Sequence, residues 1–239
     1  MPRAVIRLAV VLVVLLVLVV VADRVSVRVA ERSVATRLTA SERLPAPATV
    51  RFADLPFLTQ ALRGSYGTVR VTLRGLTTSG LVVDRIDATL HGVTAPADAV
   101  LRGGLSALPV QRGEATAFVS FASLAVSARR VAGVGTTQVA LGRAAADRIA
   151  VTATVPVVVG TMTVHGQARV TVVGGVVRAR LVPETLTGVP SVLRGQVARL
   201  VDLSAMVPPL PFGFRATSVR VDADGLRLTA DGTRLSLPV

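Results

Sequence analysis

The run TVRVTLR, residues 68–74, alternates without a break: Val69, Val71 and Leu73 fall on one side, Arg70, Thr72 and Arg74 on the other. A period of two separates apolar from charged side chains only on an extended strand with one buried and one solvated face. Strand-like runs recur at 49–53 (TVRFA), 81–93 (LVVDRIDATLHGV), 136–142 (TTQVALG), 148–183 and 215–237. They are rich in valine, whose β-branched side chain favours strands. The dipeptides GG at 174–175 and DG at 224–225 and 231–232 read as hairpin turns. Short helices are expected at 119–130 and 190–206, with a mixed helical turn and loop at 95–108. The expected class is mainly β (α+β): an elongated, curled antiparallel sheet or β-barrel-like fold covered by two or three helices.

Ahead of the strands, Arg3 and Arg7 precede fifteen uninterrupted apolar residues, Leu8–Ala22. A short basic region followed by an apolar one is an export signal or a membrane anchor. A full span needs about 20 residues, which Ala4–Ile6 help to supply if Arg7 snorkels to the interface. Val20 and Ala22 are small enough for positions −3 and −1 of a cleavage site, so cleavage and retention both stand. Either places the rest of the chain at the membrane or envelope, on the extracytoplasmic side. Beyond Ala22, Val27, Ala30, Val34 and Leu38 share one helical face and Arg24, Arg28 and Arg32 another. The expected organisation is a signal or anchor at 1–22, an amphipathic helix at 23–40 and one β-rich domain at 41–239, entered through the Pro-punctuated linker SERLPAPAT.

Composition excludes several chemistries. There is no cysteine, hence no disulfide, thiolate nucleophile or Cys-ligated metal. His91 and His165 sit on separate expected strands without a partner histidine, so no metal site is read. GxSxG, GxGxxG, P-loop and HExxH patterns are missing. No catalytic residue and no cofactor is nominated, and the chain reads as a non-enzyme. DADG at 222–225 is a turn, without the rest of a calcium loop. All 27 basic residues are arginine and the net charge is +13, which favours anionic partners. Nucleic acid is not among them: the arginines are scattered along strands, and aromatics for base stacking make up only 3% of the chain.

Three stretches carry a resemblance: ADRVSVRVAERSVATRL after the apolar run, VRFADLPFLTQALRGSYGTVRVTLRGL, and LPFGFRATSVRVDADGLRLTADG. In this order they resemble the LmeA-type phospholipid-binding family of actinobacterial cell-envelope proteins, over most of residues 22–238. PFLTQ-x-LRG-x-Y is the most specific part. The resemblance implies an exported or anchored protein with an elongated, barrel-like fold. It implies phospholipid ligands, phosphoinositides among them, and a setting in lipoglycan or envelope lipid biogenesis. It supplies no catalytic motif.

The six phenylalanines fall in three pairs, Phe52/Phe57, Phe118/Phe121 and Phe212/Phe214. Two pairs share an LPF context followed by arginine: Leu55-Pro56-Phe57 with Arg63, and Leu210-Pro211-Phe212 with Arg215. As punctuation between long strands, these segments are expected at barrel rims. The lipid-binding candidates are Phe52, Leu55, Phe57, Leu58, Leu62, Arg63, Tyr66, Phe212, Phe214 and Arg215, with acyl chains in an apolar β-lined cavity and arginine at the headgroup. The competing reading makes both segments plugs that close a solid core, in a structural or scaffold protein of the envelope.

Overall fold

The computed structural model describes residues 2–78, 80–96, 107–131, 138–156, 161–191, 210 and 213–238. Most of the helix expected at 190–206, most of the segment 95–108, and Phe212 lie outside the described residues.

Helix α1 spans Pro2–Ser41, 40 residues in one piece, or about 60 Å at 1.5 Å per residue. Its two halves meet different surroundings. From Leu8 to Val21 the large apolar side chains stand out on every side, and this helix is long and apolar enough to cross a membrane. From Asp23 onward the helix lies on the folded body. Val27 is buried, and Ala30, Val34, Ala35 and Leu38 pack behind it. Arg24, Arg28 and Arg32 face outward. The expected amphipathic helix is therefore the lower half of the apolar one.

Among the described residues, ten strands form two antiparallel sheets. The larger has the order β1 (Thr49–Phe52), β2 (Ser65–Thr78), β3 (Leu81–Thr94), β4 (Ala107–Ser120), β10 (Gly225–Pro238), β9 (Arg215–Val221). The smaller is the meander β5 (Gln138–Ala145), β6 (Arg148–Pro156), β7 (Thr161–Val173), β8 (Val176–Thr187). The mainly β expectation holds, but neither sheet closes into a barrel among the described residues. The turns at 174–175 and 224–225 form as expected. The DG at 231–232 does not turn: Asp231 pairs with Glu114 and Gly232 with Gly113 in mid-strand. The reason is packing. A Cβ on Gly232 would meet the Leu235 side chain, and one on Gly113 would lie 2.9 Å from Phe214 Cζ. Gly113 leaves room for Phe214 and Leu235, and Gly232 opposite it leaves room for Leu235, so Gly232 is there for space rather than for a turn.

Helix α2 (Phe57–Arg63) links β1 to β2, and α3 (Phe121–Val131) follows β4. The α3 helix starts two residues later than its sequence suggests, because Val119 and Ser120 still pair with β10. Ser120 then caps it, its Oγ accepting the Ser123 N–H at 3.2 Å. Asp84 accepts both the Ser120 N–H, at 2.7 Å, and the Ser123 hydroxyl.

Strand β9 stitches the sheets together. Its Ala216 N–H donates to Gly175 O in the β7–β8 turn, and its Val221 N–H to Ala146 O in the β5–β6 turn. Ile149, Val170, Val177 and Ala179 of the small sheet meet Ala216, Val221, Leu226 and Leu228 of the large one, with Phe121 and Leu124 of α3, in one core. A second core joins Val27 of α1 to Phe57, Tyr66, Val69, Leu90, Val93, Val110 and Leu235. Further down β2, Leu76 packs with Leu44 and Leu38. The long strands thus run beside α1, with Tyr66 at the end next to the apolar segment.

Candidate lipid-binding surface

Antiparallel partners sit on the same face, so the register identifies what the large sheet presents. One row across it reads Val71, Ala88, Ala115, Ala230, Ala216. The row on one side is Leu73, Ile86, Ala117, Leu228, Val219; on the other it is Val69, Leu90, Gly113, Gly232. The inner face is thus wholly apolar, with its smallest side chains in the middle. Ala230 and Ala216 are buried, while Val71, Leu73, Ile86, Ala88, Ala115 and Ala117 are only partly covered. Aliphatic walls of this kind accept methylene chains without asking for polar partners.

The outer face carries the charge. The row beyond Ala117 reads Arg74, Arg85, Phe118, Arg227, Arg220. Arg85, Asp87, Thr116, Phe118 and Arg227 line a shallow depression of about 370 Å³, and the Arg227 guanidinium lies 5.8 Å from the Phe118 ring centre. Both arginines are already paired, Arg85 with Asp87 at 2.6 Å and Arg227 with Asp222 at 2.8 Å. The hydrogen bond from Arg85 holds the Asp87 carboxyl below its ordinary 3.8, and the same bond raises Arg85. With its cations occupied, this depression is a poor place for a headgroup. On the small sheet, Arg148, Arg169 and Arg180 stand directly opposite one another. Asp147 lies 3.9 Å from Arg148 and 3.4 Å from Arg169.

The aromatic stretch sits at the α1 end of the sheet. Phe52, Phe57 and Tyr66 form a triangle with ring centres 5.1, 5.2 and 5.9 Å apart. Phe57 and Tyr66 are buried under α1, and Phe52 is partly covered. Burial pushes the Tyr66 phenol above its ordinary 10.0. Phe214 packs against the same core as Phe57 and Tyr66, so one aromatic of the second LPF segment does join the first. Leu55, Leu62 and Arg63 are exposed and Leu58 is half-buried. Arg215 is elsewhere: it opens β9, its side chain against Gly175 of the small sheet.

The family model for LmeA-like phospholipid-binding proteins matches residues 21–231. The chain belongs to the LmeA-like family. This is a lipid-binding family, not an enzyme family. No curated protein and no solved structure matches the chain. The match begins where α1 leaves its apolar run and covers both sheets, so the LmeA-like part includes the half of α1 that packs on the body. Among the described residues of this LmeA-like chain, no three His, Asp or Glu side chains gather as metal ligands.

Sequence reasoning missed two parts of this site. The row of alanines emerges only once strands are in register. The polar contacts of α1 were overlooked as well: Asp23 accepts the Leu58 N–H, Glu31 the Phe52 N–H and Thr39 the Ala48 N–H, at 2.8, 3.0 and 2.9 Å. Eight residues carry an α-helix about 80° past two full turns, so the three contacts wind round α1 and share no single stripe that a helical period would reveal.

Proposed function

We propose that this chain binds a phospholipid by laying its acyl chains on the apolar inner faces of the two sheets, with arginine near the headgroup. The observation that carries the reading is the family match over residues 21–231. The partly uncovered row Val71, Ala88, Ala115 supports it, because it offers apolar surface that the described residues do not fill. Each methylene buried there gains about 0.8 kcal/mol, so two chains offset the cost of leaving the bilayer. Leu8–Ala22 anchors the protein in the cell membrane, residues 41–239 act as one lipid-binding domain on the extracytoplasmic side, and the protein works without catalysis in envelope lipid or lipoglycan biogenesis. Phosphoinositides belong among the lipids to be tried, since their extra phosphates suit arginine forks.

Native mass spectrometry of the full chain extracted in mild detergent tests this. The expected result is a phospholipid retained after detergent release, identified by its mass. A protein that carries no lipid and takes none from mixed vesicles refutes the reading and leaves a scaffold with a solid core.

A further inference from the structure

Asp23 is the first polar residue after the apolar run, and its buried carboxylate accepts the Leu58 N–H at 2.8 Å. That bond fixes α2 beside the point where α1 leaves its apolar stretch. Phe57 turns into the core, while Leu62 is 86% exposed and Leu55, in the turn before α2, 51% exposed. On α1 itself Val25 and Val29 are also exposed and continue the apolar surface of Val21 by steps of four. Arg24 and Arg28 on α1 and Arg63 on α2 stand exposed beside them. Fifteen helical residues cover about 22 Å, against a hydrocarbon core of about 30 Å. With Ala4–Ile6 added at the far side the span is just filled, so the helical turn after Ala22 sits at the bilayer boundary, and α2 is bonded to that turn.

We infer that α2 and the Leu55-Pro56 turn form a wedge in the interface of the bilayer that α1 enters. Leu55 and Leu62 reach into the headgroup region, and Arg24, Arg28 and Arg63 meet lipid phosphates. The occupant of this exposed apolar tip is thus the membrane, argued from its continuity with the apolar helix. The wedge holds the Tyr66 end of the long sheet against the lipid supply. This inference rests on the reading of Leu8–Ala22 as a bilayer segment.

The chain has no tryptophan, so a single introduced one reports alone. Full-length Leu15→Trp, Leu62→Trp and Val173→Trp variants are reconstituted in phosphatidylglycerol–phosphatidylcholine vesicles, with and without lipids brominated in the acyl chain. Position 62 is so exposed that tryptophan fits without repacking, and Val173 lies at the β7–β8 turn on the small sheet. The expected result is strong quenching at position 15, blue-shifted emission with partial quenching at 62, and water-like unquenched emission at 173. Quenching at 15 with position 62 as water-like as 173 overturns the wedge and leaves the anchor standing. No quenching at 15 overturns both. Equal quenching at 62 and 173 also overturns the wedge, since it marks indiscriminate adsorption.

Discussion

Ala115→Leu places three extra carbons in the middle of the small-residue row, between Ala88 on one neighbouring strand and Ala230 on the other. Ala115 is only partly covered, so what fills the space above it decides the outcome. If an acyl chain lies there, the leucine displaces about three methylenes from contact. At about 0.8 kcal/mol each this is about 2.4 kcal/mol, or roughly fifty-fold weaker lipid binding, with the thermal midpoint of lipid-free protein nearly unchanged. If protein closes the row instead, the leucine overpacks a core at a cost of about 1–3 kcal/mol, and the midpoint falls by about 2–12 °C. Thr116→Leu adds bulk on the outer face of the same strand and serves as the control. Lipid occupancy by native mass spectrometry and thermal unfolding are read on the same samples. A fall in occupancy for Ala115→Leu alone, at constant midpoint, is the expected result. Unchanged occupancy, or a lowered midpoint without lipid loss, refutes the placement of acyl chains on this row.

Four further outcomes are expected. Asp23→Ala leaves the Leu58 N–H without its acceptor and lowers stability by about 1–3 kcal/mol, seen as faster hydrogen exchange in α2; unchanged exchange there would show that the bond does not hold the helix. Tyr66 is the sole tyrosine, so ultraviolet absorbance titrates it alone, and its midpoint in folded protein lies above 10.0. Because the folded state keeps the proton longer, this group's stabilisation is complete below pH 10 and lost as pH rises through the folded midpoint; a midpoint at 10 removes the argument for its burial. Gly188 has φ +82°, and a Cβ there would strike Thr163 O, so Gly188→Ala costs more than about 1 kcal/mol in denaturant unfolding. Arg180→Thr removes one like charge from the row with Arg169 and raises stability by about 0.2–1 kcal/mol at low salt, a gain that fades as salt is added.

The parts of the fold that were legible in the sequence are those with a local period. Val69, Val71 and Leu73 face inward as their alternation requires, and Val27, Ala30, Val34 and Leu38 pack as their helical spacing requires. The alanine row was not legible, because each alanine belongs to a different strand and only pairing aligns them. The aromatics show the same limit at shorter range. Sequence brought Phe52, Phe57 and Tyr66 close together, but α1 decides that they turn inward and leave Leu55 and Leu62 outside. Asp231-Gly232 failed as a turn because a glycine signals either a bend or a close approach, and here Leu235 needs the room.

The open sheet also has a physical account. A large antiparallel sheet must deal with two edges of unpaired backbone groups, and closing into a barrel is one solution. Here α1 guards the first edge: Glu31 takes the Phe52 N–H of β1, and Thr39 takes the Ala48 N–H just before it. The β5–β6 and β7–β8 turns guard the other, taking the Val221 and Ala216 N–H groups of β9. With both edges occupied, nothing drives β1 toward β9, and the apolar inner face is not sealed by closure. The helix that carries the apolar segment is therefore also an edge cover of the sheet. Detaching it would expose backbone donors and uncover Val50, Phe57 and Tyr66 at once, so α1 and the large sheet stand or fall as one unit.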